Sequence, residues 1–225
     1  MKTKVFIDAG ANLGQSIRAF IKNFSDAKDY KIFSFEPATT KRIKSKLKEK
    51  IKQNNKEGYQ IKYIPKAVWT HDGTVKFYEQ DNEGSTTEAA KKNIVARKHK
   101  VREVDCVDLA KFIDQFPDDS HIILKMDIEG GEYRVMKHLH ETGTLKKVNE
   151  LYIELHACKI SDKTIQHDYD LLDMLAEHKL APVRWDGNKP AQVSSTRIYT
   201  RDLIRHDWKR YGRLKEAKNQ SGKKE

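Results

Sequence analysis

Four short segments carry the residue types that chemistry needs. In the first, Phe6-Ile7-Asp8-Ala9-Gly10-Ala11-Asn12-Leu13-Gly14, an apolar run breaks into a glycine loop. Residues 15–24 follow with Ile17, Phe20, Ile21 and Phe24 at helical spacing. Glycines permit backbone turns and close approaches that side chains forbid, and the free amides at a helix start hold an anion. A dinucleotide-binding loop needs G-x-G-x-x-G. Asn12 stands where the second glycine would be, so a pyrophosphate is held off and a smaller anion, such as an amino-acid carboxylate, suits the loop better. The second segment, Phe33-Ser34-Phe35-Glu36-Pro37, ends an apolar run in a carboxylate about twenty residues further on, where ribose hydroxyls are commonly held. The plainer role for Glu36 is a helix-capping acid ahead of Pro37.

The third segment, Leu124-Lys125-Met126-Asp127-Ile128-Glu129-Gly130-Gly131-Glu132, leaves an apolar run with three acids in six positions. Asp127 and Glu129 suit a base, a metal ligand or a cofactor contact, while Glu129 and Glu132 also suit an ordinary helix N-terminus. In the fourth, Tyr152-Ile153-Glu154-Leu155-His156, strand alternation puts Glu154 and His156 on one face. A single histidine is usually a packed structural residue. Its place at a strand end beside an acid adds a functional reading.

The elements that must position these groups follow from periodicity. Strands are predicted at 4–8, 31–36, 60–64, 66–69, 74–78, 101–104, 122–127, 150–155, 182–185 and 197–200. Helices are predicted at 15–24, at 107–116 (closed by Pro117), at 131–140, at 165–179 and from Thr39 or Thr40 as cap to about residue 54. His71-Asp72-Gly73 reads as a hairpin turn joining 66–69 to 74–78, and 81–87 as a loop. Strands alternating with helices predict an α/β fold with a mostly parallel sheet and helices on both faces. In such sheets a ligand lies beyond the carboxyl ends of the strands, which selects residues 8–14, Glu36, 68–69, 127–129 and 154–156. Residues 1–211 are expected to form one domain and 212–225 a basic, disordered tail.

The chain has 225 residues, 37% hydrophobic and 34% charged, with a formal net charge of +11. Residues 38–56 hold eight Lys/Arg against one Glu, and the stretch from Arg201 onward nine against four Asp/Glu. Such runs serve as solvated helix faces and frayed ends, or attract phosphates. Cys106 and Cys158 have no ligand-spaced partner, which suits a reducing, cytoplasmic compartment. There is no apolar run of membrane-spanning length and no leader pattern ahead of the first strand.

Taken together, FIDAGANLG, FSFEP, KAVW with its downstream hairpin, VDCVDL, LKMDIEGGE and YIELH resemble the FkbM family of S-adenosylmethionine-dependent methyltransferases over most of residues 4–200. The resemblance implies a Rossmann-like class I methyltransferase fold. It implies that Asp8, Gly10, Asn12 and Gly14 line the methionine end of S-adenosylmethionine, that Glu36 holds its ribose, and that Ala67 and Val68 lie near its adenine. Asp127, Glu129, Glu154 and His156 would then face the reacting centre. The implied acceptor is a hydroxyl of a sugar or glycan. The chain opens at its first strand, without the upstream helices usual in this family, so a domain of a longer glycan-building protein is expected.

Asp127, Glu154 and His156 are the candidate bases for removing the acceptor's proton. The alternative device is a divalent ion, Mg²⁺, Ca²⁺ or Mn²⁺, on Asp127, Glu129, Glu154 and His156. Two rival functions come with this sequence. One is RNA 2′-O-methylation, favoured by the basic charge and by Lys125 with Asp127, and opposed by the lack of any RNA-binding module or aromatic-basic stacking surface. The other is a non-catalytic binding protein that keeps the fold.

Overall fold

Strand β1 (Lys4–Ala9) sets the layers. Val5, Ile7 and Ala9 point one way and Phe6 the other, and all four are buried. A strand buried on both faces belongs inside a sheet that is covered twice. Beneath Phe6 lies α1 (Gln15–Asn23), whose Phe20 ring stacks on it at 4.0 Å. Beside α1, α2 (Lys41–Lys56) buries Ile43, Leu47 and Ile51, one turn apart, and turns most of its lysines outward. The opposite face is covered by α3 (Leu109–Asp114), α4 (Glu132–Glu141), α5 (Ile165–Glu177) and α6 (Arg201–Arg210). The computed structural model describes residues 2–37, 40–79, 85–91, 99–185 and 198–210.

After β1 come β2 (Tyr30–Phe35) and β3 (Gln60–Ile64), then β4 (Ala67–Trp69), β5 (Gly73–Glu79) and β6 (Lys100–Asp108), and finally β7 (His121–Met126), β8 (Val148–Ile153) and β9 (Pro182–Arg184). The first and last groups form one parallel six-stranded sheet in the order β3-β2-β1-β7-β8-β9. The chain winds outward from β1 to β3, returns to the middle, and winds outward the other way. The reversal falls between β1 and β7, so a crevice opens beyond their carboxyl ends. This is the α/β, doubly covered parallel sheet that the alternating pattern predicts.

Local corrections follow. Strand β5 does not pair with β4 as a hairpin. Both flank β6, β4 in parallel and β5 antiparallel, because nine-residue β6 is long enough to serve both and Asp72 docks the turn by accepting from the Asp108 amide at 3.1 Å. Strand β6 also runs on through Val107, and the helix starts only at Leu109, where Asp108 caps the amides of Ala110 and Lys111. Strand β8 stops at Ile153, short of Glu154 and His156. Of the strand predicted at 197–200, Ile198 makes one antiparallel bridge with Val183. Residues 201–210, read only as charged, form α6 with Ile204 and Trp208 buried. Thr40 precedes α2 without a side-chain cap bond. Thr39, most of the predicted 81–87 loop and the tail from residue 212 lie outside the described residues. No helix among the described residues is long and apolar enough to cross a membrane.

Candidate active site

The glycine loop closes against the end of β7. Gly10 has φ +85°, and a Cβ there would stand 1.9 Å from the backbone oxygen of Asp127. Only glycine lets the two strand ends approach so closely. The amides of Gly10 and Ala11 donate to the Phe35 carbonyl at 3.1 and 2.9 Å, and the Asn12 amide donates to Glu36 Oε2 at 2.7 Å. The loop is thereby moulded around the end of β2. Asn12, at φ +45°, takes a left-handed turn that asparagine tolerates better than most residues.

Two expected lining residues support the loop from behind. Asp8 is fully buried and accepts from Ser16 Oγ at 2.6 Å and Ser34 Oγ at 3.4 Å. Gly14, at φ +75°, starts α1, and a Cβ on it would press on Lys50 and Leu47 of α2. Neither borders the clefts described next, because each is committed to packing beneath the loop. Behind the loop, the buried Lys125 donates to the carbonyl of Gly10 at 2.8 Å and lies 3.4 Å from Asp8 Oδ1. Burial alone would favour a neutral amine, but Asp8 and Asp127 outweigh it and hold the ammonium above the ordinary lysine range. From α2, Lys50 donates to the Leu13 carbonyl at 2.6 Å. Residue types alone set Lys125 beside Asp127 only as a pointer to RNA 2′-O-methylation and gave Lys50 no place in the site. The signal was a lone lysine inside the apolar run His121–Met126.

Two clefts meet over this loop. One spans about 690 Å³, open solvent at its mouth included, and is lined by Glu36, Ala67 and Val68, with Phe35, Ile43 and Phe77 as apolar walls. The other spans about 1160 Å³ counted the same way and is more polar, with Glu154, Lys159, Arg184, Trp185 and Tyr199 on its walls. Gly10, Asn12, Asp127 and Glu129 border both. A slot with apolar walls on one side and Glu36 set apart from the shared acids Asp127 and Glu129 suits a nucleoside, the base between the apolar walls and the diol on Glu36.

The acids converge at the junction. The Asp127 amide donates to the Ala9 carbonyl at 3.1 Å, which fixes it beside the loop. Glu129 has φ +62°, a left-handed conformation rare for a non-glycine residue. Thr86 Oγ1 donates to its carbonyl at 2.6 Å, and Lys91 pairs with its carboxylate. Glu132 is fully buried and accepts from the amides of Ile128 and Gly130 at 2.9 and 2.8 Å. It therefore shapes the turn itself, beyond favouring a helix start.

His156 is fully buried just past β8, ahead of the 3-10 turn Ala157–Lys159. Its Nδ1 lies 3.0 Å from Glu132 Oε1. Its Nε2 lies 3.3 Å from Glu129 Oε2, 3.3 Å from Glu154 Oε1 and 3.9 Å from Asp127 Oδ1. The four residues expected at the reacting centre thus meet. Glu154 and His156 do so because the chain turns after Ile153, and not through strand alternation. Burial pushes the Asp127 carboxyl up to about 6, against the pull of Lys125. Burial would also raise Glu154, but His156 and Lys159 outweigh it and draw that carboxyl down to about 2. Burial opposes a charged His156, yet Glu132 and Glu129 outweigh it and raise its pKa well above the usual range. The ligand atoms of Asp127, Glu129 and His156 lie within 4.8 Å of one another, close enough to share a metal ion.

A further relay seats the turn. The Ala157 amide donates to Tyr133 Oη at 2.7 Å, and that hydroxyl donates to Asp168 Oδ1 at 2.6 Å. Trp208 Nε1 donates to Asp168 Oδ2, also at 2.6 Å. Helices α4, α5 and α6 are thereby tied to the turn beside His156.

Residues 8–179 match the family model of the methyltransferase FkbM domain. Among solved structures, a methyltransferase FkbM from Methylobacillus flagellatus KT is similar at 14% identity and a TM-score of 0.43. That likeness covers 91% of this chain and 36% of the other, so the chain spans little more than a third of that protein's length. No curated protein matches.

Proposed function

This chain belongs to the methyltransferase FkbM domain family, and from that premise we propose that it moves a methyl group from S-adenosylmethionine to a hydroxyl of a sugar or glycan. The observation that carries this is the junction, where a nucleoside-sized cleft holding Glu36 and a polar cleft rimmed by Glu154 share Asp127 and Glu129 as a common edge. A donor in the first cleft and an acceptor in the second would meet there.

The residues present suit the donor. Glu36 would take the ribose diol, Ala67 and Val68 would lie beside the adenine, and Gly10 and Asn12 would carry the methionine end. Bound there, S-adenosylmethionine supplies an activated methyl group, which an acceptor oxygen takes by in-line displacement to leave S-adenosylhomocysteine. The protein's main contribution is alignment. Asp127 and Glu154 border the acceptor cleft and are placed to receive the hydroxyl proton. His156 is buried behind them and acts by positioning these carboxylates. Trp185 and Tyr199 give that cleft the mixed apolar and polar wall that a sugar ring prefers. Two buried, unpaired cysteines suit a reducing, cytoplasmic setting.

The test is to incubate the full chain with methyl-labelled S-adenosylmethionine and panels of sugars, glycans and RNA, then locate the label. Label on a sugar hydroxyl is expected. Label on an RNA ribose would replace the acceptor assignment, and failure to bind the donor at all would favour a non-catalytic binding protein.

A further inference from the structure

We propose that Asp127, Glu129 and His156 bind one divalent cation, of the Mg²⁺ or Mn²⁺ type, where the two clefts meet. The starting observation is His156 Nε2. It is a buried polar atom with no hydrogen-bond partner, on a side chain with no solvent exposure. It points at carboxylates and not at an apolar wall: Glu129 Oε2 and Glu154 Oε1 each lie at 3.3 Å and Asp127 Oδ1 at 3.9 Å. Donor atoms sharing an octahedral ion at about 2.1 Å stand from about 3 Å (adjacent) to about 4.2 Å (opposite) apart, and these separations fall within that range.

The ring is also held as a ligand is held. Glu132 Oε1 lies 3.0 Å from Nδ1, and the amides of Ile128 and Gly130 anchor the same carboxylate. A carboxylate on one imidazole nitrogen fixes the ring and makes the other nitrogen the better donor. Nothing in Glu132's other contacts requires a histidine at this point.

Carboxylates crowd this point: Asp127, Glu129 and Glu154 all face Nε2, and Lys125, Lys91 and Lys159 pair with them in turn. One nitrogen with carboxylate oxygens, and no thiolate, selects Mg²⁺ or Mn²⁺ over softer metals.

The ion's part in the reaction rests on the methyl-transfer reading, though its binding does not. Asp127 and Glu129 border the acceptor cleft, so open coordination positions there would take a sugar hydroxyl and lower its pKa. Asp127 then serves as ligand, and the hydroxyl proton passes to Glu154 or to solvent.

The test uses Mn²⁺ alone. The chelator-stripped full chain, without donor or acceptor, is titrated with Mn²⁺ while the resonance signal of the free aquo ion is followed. One Mn²⁺ per chain is expected, and Asp127→Asn and Glu129→Gln, checked for folding by circular dichroism, should each weaken uptake by about tenfold or more. No uptake at millimolar Mn²⁺ by a wild-type chain that still binds S-adenosylmethionine would overturn the site, leaving the carboxylates as counter-ions of an imidazolium and methyl transfer standing. Uptake unchanged in both folded variants would also overturn it, by placing the ion elsewhere. Mn²⁺ uptake in a chain that never binds the donor would support the site and sink the methyl-transfer reading.

Discussion

Glu36 does two things with one carboxylate. One oxygen accepts the Asn12 amide at 2.7 Å and so helps set the loop, while the group itself lines the nucleoside-sized cleft. Replacing it with alanine removes a charged acceptor from both tasks. Charge-assisted hydrogen bonds are worth about 1.5–3 kcal/mol each, so Glu36→Ala should weaken S-adenosylmethionine binding by roughly tenfold or more. Calorimetry on the folded variant checks this, and an unchanged affinity would mean the ribose lies elsewhere. Residue types alone singled out Glu36 and the four groups at the junction, because a charged side chain directly after an apolar run has no packing reason to be there. They did not give the roles of Lys125 or Glu132. A buried lysine gains its place from Asp8 and the Gly10 carbonyl, and Glu132, read only as a helix-start acid, gains its place from two amides of the turn through Glu129 and Gly130. Those partners exist only after folding.

At the scale of elements, the site depends on how closely β1 and β7 end. Gly10→Ala puts a methyl group against the Asp127 carbonyl, a backbone atom that moves only if the strand end moves. The variant should lose S-adenosylmethionine binding by more than about tenfold and melt at a lower temperature, since a left-handed turn costs a non-glycine residue about 1–2 kcal/mol before any clash is counted. Gly58→Ala is the matched control. It has a similar φ, +94°, but its nearest neighbour is the end of Lys28 at 3.8 Å, so it should lose some stability and keep its ligand. Equal loss of binding in both would show that backbone strain, and not the β1–β7 contact, governs the site. Most elements were legible because apolar periodicity is a local signal, from the doubly buried β1 to the single stripe of α2. The order β4-β6-β5 was not, because the partners of Ala67–Trp69 lie at Cys106–Asp108, far along the chain. Helix α6 was not, because three apolar residues among seven others, two of them adjacent, make a faint stripe. Its anchor is the buried Asp168, which nothing in the sequence near Trp208 announces.

At the scale of the whole molecule, two cuts near the C-terminal end should be tolerated very differently. The segment after Tyr211 is polar and charged, without an apolar face to offset the entropy of ordering it. A chain ended there should keep its melting temperature and ligand affinity. A chain ended at Thr200 loses buried Ile204 and Trp208 and leaves Asp168 without its indole partner, a loss of about 3–5 kcal/mol for the tryptophan alone. Thermal melting separates the cases, and a chain ended at Thr200 that melts like the full one would detach α6 from the domain. The contact of Lys125 with the Gly10 carbonyl joins positions 115 residues apart. During synthesis the glycine loop leaves the ribosome ahead of Lys125 and waits for 115 further residues before the group that supports it arrives. Closing so long a loop makes this seam one of the slower contacts to form. A molecule that binds at the seam has nothing to grip on a partly made chain, and it stabilises only those whose two halves have met. On the proposed reading of the site, S-adenosylmethionine would thus favour chains in which this seam has closed.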